Sequence, residues 1–517
     1  MNVLCIYPNL EGYGKVPIGL SIIMSCLLRE GHNVELFDTT FIGERGHVDE
    51  NIRKAAGLVL PTDISHLYEP HTTEEIDEML MQQVRRFSPD LIAMTIVEDN
   101  YRYGDHLLTV VKSIASDIPV IVGGSTPASV PDIVIENPHI DYVCQGEGEE
   151  VIVEFCDLMS RGKSVENVRN LWYKKNGIVK RNPLRPFIDM NALPVQCLEL
   201  WDKRHFVKPY TGRLWQAGNF EMSRGCLNKC SYCINERLQI SQQNCGRFHR
   251  EKSIDNVIKE IKTLKEQYGF ELIFFTDDNF LLMSHARFNE FVHAWTSEIG
   301  LPYWMNTELE IITEERLAKL KESGCCGIGI GLESGSEWVR SNVLHRRYID
   351  NDRIVEKFKL IESFDIRVTA NSMIGFPGEY EDDIFETAKL NRRINPKSLD
   401  LNFVAPCAGT AIHAMAQEKG YLDTYTEPGF RGMAKDITVR KRPVMKLPQI
   451  TDERLNDLFY KFTDYVYGNI AIPEEFQKPA PSAHRGAPPR DSDGRDIITV
   501  SRLTTDREQS QECLEVL

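Results

Sequence analysis

The sequence of 517 residues lacks several features that mark familiar classes of protein. It has no run of 18 or more apolar residues, so no membrane-spanning helix is predicted. Acidic residues outnumber basic ones by 76 to 60 and no lysine- or arginine-rich stripe occurs, which argues against binding of duplex nucleic acid. It also has no internal repeat. With 42% apolar residues, the composition is that of a globular protein of two or three domains.

The cysteine content excludes a disulfide-stapled scaffold. Thirteen cysteines in 517 residues is a low density, and no secretory signal pattern opens the chain. A structural zinc site commonly requires two C-x2-C pairs, and the sequence has no second pair. We therefore expect reduced thiols and a cytoplasmic location.

Three of these cysteines do stand close together, at Cys226, Cys230 and Cys233. Their C-x3-C-x2-C spacing, with Tyr232 before the third, favours one chemistry. Three thiolates on a short loop can hold three corners of a [4Fe–4S] cube, which leaves the fourth iron free to bind a small molecule. The sequence thus predicts an open iron–sulfur cluster in preference to a zinc site.

This motif resembles the radical S-adenosylmethionine (SAM) superfamily. The resemblance implies that SAM chelates the free iron through its amino and carboxylate groups. It also implies that an electron from the cluster cleaves SAM to methionine and a 5′-deoxyadenosyl radical, which abstracts hydrogen from an inert C–H bond.

The first ~195 residues alternate short apolar runs with amphipathic helices, as in a doubly wound, Rossmann-like parallel sheet. Predicted strands are residues 3–7, 34–37, 91–96, 119–122 and 142–144. One predicted helix covers 17–29, and another starts at Thr72 with Ile76, Met79, Leu80 and Val84 on its buried face. Residues 160–215 show no clear period and are interpreted as a connector.

Glycines and small polar residues follow these strands, where a parallel sheet binds ligands. They are Pro17, Gly19, Thr95, Gly123, Gly124, Ser125, Gly146, Glu147 and Gly148. Ordinary βα turns are an alternative explanation. No G-x-G-x-x-G opens the first helix, so a dinucleotide site is not predicted.

These P-x-G-L, G-G-x-x-P and G-E-G-E segments resemble the cobalamin-binding domain that precedes the radical module in one large subfamily. The resemblance covers most of residues 1–160 and implies bound cobalamin. The D-x-H-x-x-G motif that supplies a cobalt-binding histidine elsewhere is absent, and His32 and His47 are interpreted as surface residues. Cobalamin is therefore expected to bind without histidine on its lower face.

A second βα series follows, and its six units fit the partial (β/α)6 barrel of the radical SAM family, with chemistry at the strands' carboxyl ends. Predicted strands are 220–223, 272–275, 303–306, 327–330, 367–374 and 401–405, with a helix at 253–268. The resemblance places SAM contacts at strand ends. These are Tyr232, Asp277, Asp278, Glu333, Ser334, Asn371 and Ser372. Alternatives are helix capping for the two aspartates and a solvated surface position for the glutamate. Cys407 is interpreted as a buried thiol.

The chain is thus divided into a B12-binding-like Rossmann domain with its connector (1–195), a radical SAM barrel (196–425), a capping segment (426–472) and a disordered tail (473–517). Within the third part, residues 427–469 are expected to close the barrel mouth.

The function predicted from the resemblance is that of a cobalamin-dependent radical SAM methyltransferase acting on an unactivated carbon or phosphorus centre. Its partners are a small-molecule substrate and a flavodoxin- or ferredoxin-type electron donor. An oxidative cyclase or rearrangement enzyme with the same cofactors remains open, as does a non-catalytic cobalamin- or metal-binding regulator. A methylthiotransferase fits less well, because Cys26 and Cys156 lie in helical patterns.

Overall fold

The computed structural model describes residues 1–10, 16–43, 48–59, 62–346, 349–435 and 442–477. His47 and nearly all of the predicted tail lie outside these residues. None of the described helices is both long and apolar enough to cross a lipid bilayer.

Strands and helices alternate along most of the described chain. The strands are β1 (Asn2–Tyr7), β2 (Asn33–Asp38), β3 (Leu91–Thr95), β4 (Val120–Gly123), β5 (Tyr142–Cys144), β6 (Leu171–Lys175), β7 (Ile178–Arg181), β8 (Val207–Tyr210), β9 (Arg213–Phe220), β10 (Ser223–Arg224), β11 (Arg250–Glu251), β12 (Leu272–Phe275), β13 (Tyr303–Thr307), β14 (Cys325–Glu333), β15 (Arg367–Ile374) and β16 (Ser398–Phe403). The helices are α1 (Ile18–Arg29), α2 (Val48–Ala55), α3 (Thr73–Phe87), α4 (Tyr101–Ile114), α5 (Ser125–Ser129), α6 (Pro131–Val134), α7 (Glu149–Ser160), α8 (Ile234–Ser241), α9 (Ile254–Tyr268), α10 (His285–Ala294), α11 (Glu314–Glu322), α12 (Glu337–Asn342), α13 (Asn351–Ser363), α14 (Glu381–Ile394), α15 (Ala411–Glu418) and α16 (Asp452–Tyr467).

The first sheet has the strand order β2-β1-β3-β4-β5-β6-β7, and its first five strands are parallel. Successive side chains of β1 point to opposite faces. Val3 and Cys5 pack with α1 and α7, whereas Leu4 and Ile6 pack with α3 and α4. Helices therefore cover both faces, which confirms the predicted doubly wound sheet.

The stretch 160–215 is not the irregular connector that was predicted. It forms β6 and β7, which extend the first sheet, and β8, the antiparallel edge of the second. Two-residue turns join the hairpins at Asn176-Gly177 (φ 52° and 74°) and Thr211-Gly212 (φ 50° and 80°). An Asn-Gly pair is a strong signal for a type I′ hairpin, and this signal was missed.

The second sheet has the order β16-β15-β14-β13-β12-β9-β8, and its six strands from β9 to β16 are parallel. This confirms the predicted partial (β/α)6 barrel. The first strand was misplaced, because β9 ends at Phe220, where the prediction begins. The backbone beyond it leaves the sheet: Met222 donates its N–H to Asp277, and β10 pairs antiparallel with β11.

Residues 39–43, 48–59 and 62–68 of the N-terminal part contact both edges of the second sheet. Phe41 and Tyr68 pack against Val207 and Leu214 of the β8–β9 hairpin. Arg53 forms a 3.4 Å ion pair with Asp400 of β16. The N-terminal part therefore contacts both the first and the last strands of this sheet.

The C-terminal helix does not close the barrel mouth as predicted. α16 packs against α14 on the outside of the barrel, where Arg392 donates to the carbonyl of Tyr465. Phe459 stacks on Phe403 of β16, with ring centroids 4.9 Å apart. The helix thus flanks the last strand of the sheet.

Two burial assignments were also wrong. His32 is only 7% exposed, and burial lowers its pKa. Met79 is 37% exposed, because the buried face of α3 consists of Ile76, Leu80 and Val84, which are spaced four residues apart. The predicted caps of α3 by Thr72 and of α9 by Ser253 are confirmed.

Candidate functional site

The loop of residues 225–233, called the cluster loop here, follows β10 and ends where α8 begins. Gly225 has φ +89°, and a Cβ there would lie 2.6 Å from the carbonyl oxygen of Phe248, so only glycine fits. Ser231 is fully buried, and its N–H and hydroxyl donate to the carbonyls of Leu344 and Val343. These bonds give the short loop a fixed course.

The three cysteines of the cluster loop are each half-buried. Burial raises the pKa of the Cys226 thiol to about 11 and that of Cys230 to about 12, and Cys233 adds to both shifts by its charge. The Arg346 guanidinium opposes the shift at Cys230. The three thiols thus lie within electrostatic reach of one another beside a fixed cation.

The donor set of this loop fits a cluster. In the part of the chain that the structure describes, no three His, Cys, Asp or Glu side chains are gathered closely enough to hold a single metal ion. A cubane makes a different demand, because each thiolate binds its own iron and the ligands stand further apart. Three half-buried thiols on one loop are a donor set of this kind.

Asp277 and Asp278 secure the chain around the cluster loop, and neither caps a helix. Asp277 is buried and accepts the N–H of Met222 (3.1 Å) and the hydroxyl of Ser223 (2.5 Å). Burial raises the pKa of its carboxyl to about 7. The Asp278 carboxylate accepts the N–H of Gly225 at 3.1 Å. The capping alternative is therefore wrong, since α10 is capped by Ser284.

Glu333 at the end of β14 joins the cluster loop to the barrel. It accepts the hydroxyl hydrogen of Tyr232 at 2.9 Å and an N–H of Arg346 at 3.3 Å. Burial raises the pKa of Glu333 although Arg346 opposes this. Its φ of +63° is unusual for a residue with a side chain, and such strain concentrates at functional sites. The acid is thus not a solvated surface residue.

The remaining predicted SAM contacts differ in where their side chains point. β15 alternates between half-buried and buried residues, so Asn371 faces the barrel interior while Ser372 faces the outer helices. The Ser372 hydroxyl accepts an N–H of Asn391 on α14. Ser334 is fully buried, with its hydroxyl 3.3 Å from that of Thr387. The hydroxyls of Ser334 and Ser372 therefore lie behind the barrel wall.

A cavity of about 490 Å³ lies between the first sheet and the cluster loop and is called the interdomain cavity here. It is lined by eight of the nine residues proposed from sequence to contact cobalamin. These are Gly19, Thr95, Gly123, Gly124, Ser125, Gly146, Glu147 and Gly148. Pro17 stands instead at the N-cap of α1. Gly225 and Asp278 line the opposite wall, so two separately predicted sites meet in one space.

The walls of the interdomain cavity suit a large ring system. A Cβ added at Gly19 would meet no protein atom within 4 Å, so this backbone borders open space. Leu20, Ile23, Val151 and Leu238 add apolar surface. Exposed glycine backbone with an apolar lining fits the broad face of cobalamin.

An ion-pair network closes one side of this cavity. Arg224 Nη1 lies 2.6 Å from Glu149 and 3.1 Å from Glu147, and its Nε donates to Glu221 at 2.9 Å. Arg250 binds Glu147 at 2.8 Å. Burial alone would raise the pKa of Glu149, but Arg224 outweighs it and holds this pKa below its usual value. The network ties the G-E-G-E segment to the cluster loop.

The sequence interpretation missed the three arginines of the site. Arg224 stands two residues before Cys226, and this adjacency was the available signal. Arg250 and Arg346 had no motif to mark them. Cys407 is half-buried, not buried as predicted.

Comparison with known proteins agrees with these features. The model of the radical SAM superfamily matches residues 220–390, and that of the B12 binding domain matches residues 60–155. An uncharacterized methyltransferase of Pyrococcus horikoshii is 25% identical over 492 residues, which cover 92% of this chain and 95% of that protein. The cytidylyl-2-hydroxyethylphosphonate methyltransferase of Streptomyces wedmorensis is 21% identical over 445 residues, or 79% of each chain.

A solved structure shares the fold over most of this chain. The radical SAM methyltransferase TsrM from Kitasatospora setae, with cobalamin and a [4Fe-4S] cluster bound, superposes with a TM-score of 0.61. The match covers 82% of this chain and 79% of that chain at 18% identity.

Proposed function

We propose that this chain, which belongs to the radical SAM enzymes that carry a B12-binding domain, is a methyltransferase acting on an unactivated carbon or phosphorus centre of a small molecule. One observation carries the proposal. The glycine-rich strand ends of the first sheet and the cluster loop border the same interdomain cavity. Two cofactor sites that open into one space suit a reaction in which both cofactors act on one substrate.

When bound, the cluster and SAM supply a 5′-deoxyadenosyl radical, and cobalamin supplies a carrier for the methyl group. Cys226, Cys230 and Cys233 hold the cluster through their thiolates. Tyr232 and Glu333 line the SAM side, where Arg346 balances the charge of the glutamate. The cysteines and the Tyr232–Glu333–Arg346 group would hold the cluster and SAM in fixed positions before the reaction begins.

The first domain positions the second cofactor and excludes water. Gly19, Gly123 and Gly148 let the backbone approach a broad ring without side chains in the way. Arg224 holds the G-E-G-E segment close to the cluster loop, so this side of the shared cavity stays closed. A closed wall protects a reactive radical from side reactions.

Two similar proteins that are named methyltransferases support methyl transfer, and one of them is named for a phosphonate substrate. We further propose a cytoplasmic location and a flavodoxin- or ferredoxin-type protein as the electron donor. A low-oxygen, reducing compartment suits an open cluster and reduced thiols.

The test is anaerobic purification with hydroxocobalamin, reconstitution with iron and sulfide, reduction with dithionite and assay of 5′-deoxyadenosine formed from SAM. We expect about one cobalamin per chain and cleavage that Cys230→Ala abolishes. Cys245→Ala is the matched control, since Cys245 lies outside the cluster loop, and it should retain cleavage.

Methyl transfer is then followed with SAM carrying a labelled methyl group. Label that reaches an acceptor through enzyme-bound methylcobalamin supports the proposal. SAM cleavage without methylation of cobalamin would favour the cyclase or rearrangement alternative. Bound cobalamin without any SAM cleavage would favour the regulatory alternative.

A further inference from the structure

A second cavity, of about 310 Å³, lies inside the partial barrel and is called the barrel cavity here. Its walls include Asn219, Phe274, Thr276, Trp304 and Asn306. Asn219, Thr276 and Asn306 stand near the carboxyl ends of β9, β12 and β13, which are neighbours in the sheet, whereas Trp304 stands near the start of β13. It shares no lining residue with the interdomain cavity.

One wall of the barrel cavity is aromatic. The rings of Phe274 and Trp304 lie 5.7 Å apart, and Tyr210 meets Phe274 edge-on at 6.0 Å. Glycines of β14 make room for the indole. A Cβ at Gly327 would lie 2.6 Å from Trp304, and one at Gly329 would lie 2.7 Å from it. Because β14 carries glycine at these two positions, the side chain of Trp304 can lie across the barrel interior.

Two carboxamides flank this aromatic wall. Asn219 and Phe274 are register partners, and so are Phe274 and Trp304, with Asn306 one pleat beyond Trp304. The two asparagines therefore stand two strand spacings apart across the sheet and two residues apart along it, or roughly 12 Å in all. Within the described residues, and apart from those of the sheet itself, the hydrogen bonds at these two asparagines are to their backbone carbonyls, from Gln196 to Asn219 and from Phe280 to Asn306. Each side-chain amide offers both a donor and an acceptor to a ligand. Lys208 adds an ammonium group 5.8 Å from the Phe274 ring centroid.

The barrel cavity lies beneath the SAM side of the site. A Cβ at Gly329 would touch Asn306, and one at Gly331 would touch Glu333 and lie 3.1 Å from Arg346. These glycines are two residues apart on β14, or roughly 7 Å along the strand. The end of the barrel cavity at Gly329 is thus two residues along β14 from Gly331, which lies beside Glu333. Glu333 is the residue that accepts the hydrogen bond of Tyr232.

We propose that the barrel cavity binds the substrate through a planar bicyclic ring that carries polar atoms at both ends of its long axis. The ring stacks on Phe274 and Trp304, and each end pairs with Asn219 or Asn306. A cavity of about 310 Å³ is at the lower end of the range for small-molecule sites, which favours one fused ring pair over a polycyclic lipid or a tetrapyrrole. This inference rests on the proposed function, since it names the substrate class of that reaction.

The test is calorimetric titration of the reconstituted full chain with indole-5-carboxamide, whose ring N–H and carboxamide are on opposite rings of the bicycle. We expect a dissociation constant of about 1 mM or tighter, which is reasonable for a probe of this size. Asn219→Leu and Asn306→Leu keep the branched shape of the side chain and should each weaken binding about tenfold, because one hydrogen bond is lost. Asn456→Leu, on the surface of α16, is the matched control and should not change binding.

The non-aromatic probe cyclohexanecarboxamide tests the role of the ring wall. It should bind at least tenfold more weakly than the indole. Equal binding of the two probes, no detectable binding of the indole, or unchanged affinity in both asparagine variants would overturn the inference. Should either leucine variant fail to fold, Asn306→Ala provides the same comparison.

The two proposals can fail separately. SAM cleavage and methylation of cobalamin need no ring-shaped probe, so their success with failed probe binding would reject only the barrel cavity as the substrate site. Probe binding without SAM cleavage would instead reject the proposed function.

Discussion

Replacing Arg224 by methionine tests the electrostatic tie between the two domains. Glu149 is 4% exposed and keeps its charge through Arg224, at 2.6 Å. Removing one partner of a buried ion pair costs about 3–5 kcal/mol, because the other charge stays buried without compensation. Glu147 retains Arg250 and adds little to this loss. We therefore expect the free energy of unfolding of this region to fall by about 3–5 kcal/mol.

The size of the loss should depend on pH. In the wild type the folded pKa of Glu149 is depressed, so its stabilising contribution is present above the unfolded pKa and is lost as pH falls through the folded value. In Arg224→Met the main opposing charge is gone, so burial, the largest cause, outweighs the smaller effect of Arg250 and raises that pKa. Protonation then relieves the penalty as pH falls. Both effects make the gap between the two proteins largest near neutral pH and smaller in acid.

Hydrogen exchange of residues 146–150 and 221–226, measured across a urea series, is the appropriate assay, because a chain of several domains need not unfold in one step. The double variant Arg224→Met with Glu149→Met removes both charges and should regain most of the lost stability. Arg393→Met removes an exposed ion pair with Asp352 and should cost at most about 1 kcal/mol. A loss in Arg224→Met no larger than this, or a gap that does not change with pH, would refute the reasoning.

Three further variants test the geometry of the site. Gly225→Ala should lower the iron content after reconstitution, because its Cβ would strike a backbone carbonyl at 2.6 Å, whereas Gly269→Ala has a similar φ, open space around it and should bind iron normally. Asp277→Asn should weaken a pH dependence: the raised folded pKa of about 7 makes Asp277 destabilise the wild type as pH rises from about 4 to 7. Denaturation midpoints across this range should fall less in the variant, in which the raised pKa of Glu379 still contributes. Asn371→Ala should weaken SAM binding in equilibrium dialysis, whereas Ser372→Ala should leave it unchanged and lower only thermal stability, since Ser372 faces the outer helices.

The cluster loop and the glycine-rich strand ends could be predicted from the sequence because both obey local rules. Cys226, Cys230 and Cys233 share one short loop, so their spacing alone brings the thiols near one another. Parallel strands place their carboxyl ends at one edge of a sheet. The alternation of strands and helices therefore predicts that residues such as Gly19 and Gly146 lie close together, and both line the interdomain cavity.

Tertiary structure decided which side chains complete the site. Arg224 meets Glu149 across 75 residues of chain, and Tyr232 meets Glu333 across 101, and no local pattern encodes such pairs. The choice between Asn371 and Ser372 depended on the register of β15, because one step along a strand turns a side chain to the opposite face.

The sequence by itself determined the chemistry of the loop and the class of each domain, because these follow from residue types and their spacing. Only the folded chain decided that the interdomain cavity and the barrel cavity lie on either side of the end of β12, with Asp278 in one and Thr276 in the other. The physical reason is that cavities form where distant elements pack, and packing depends on contacts between residues far apart in the chain.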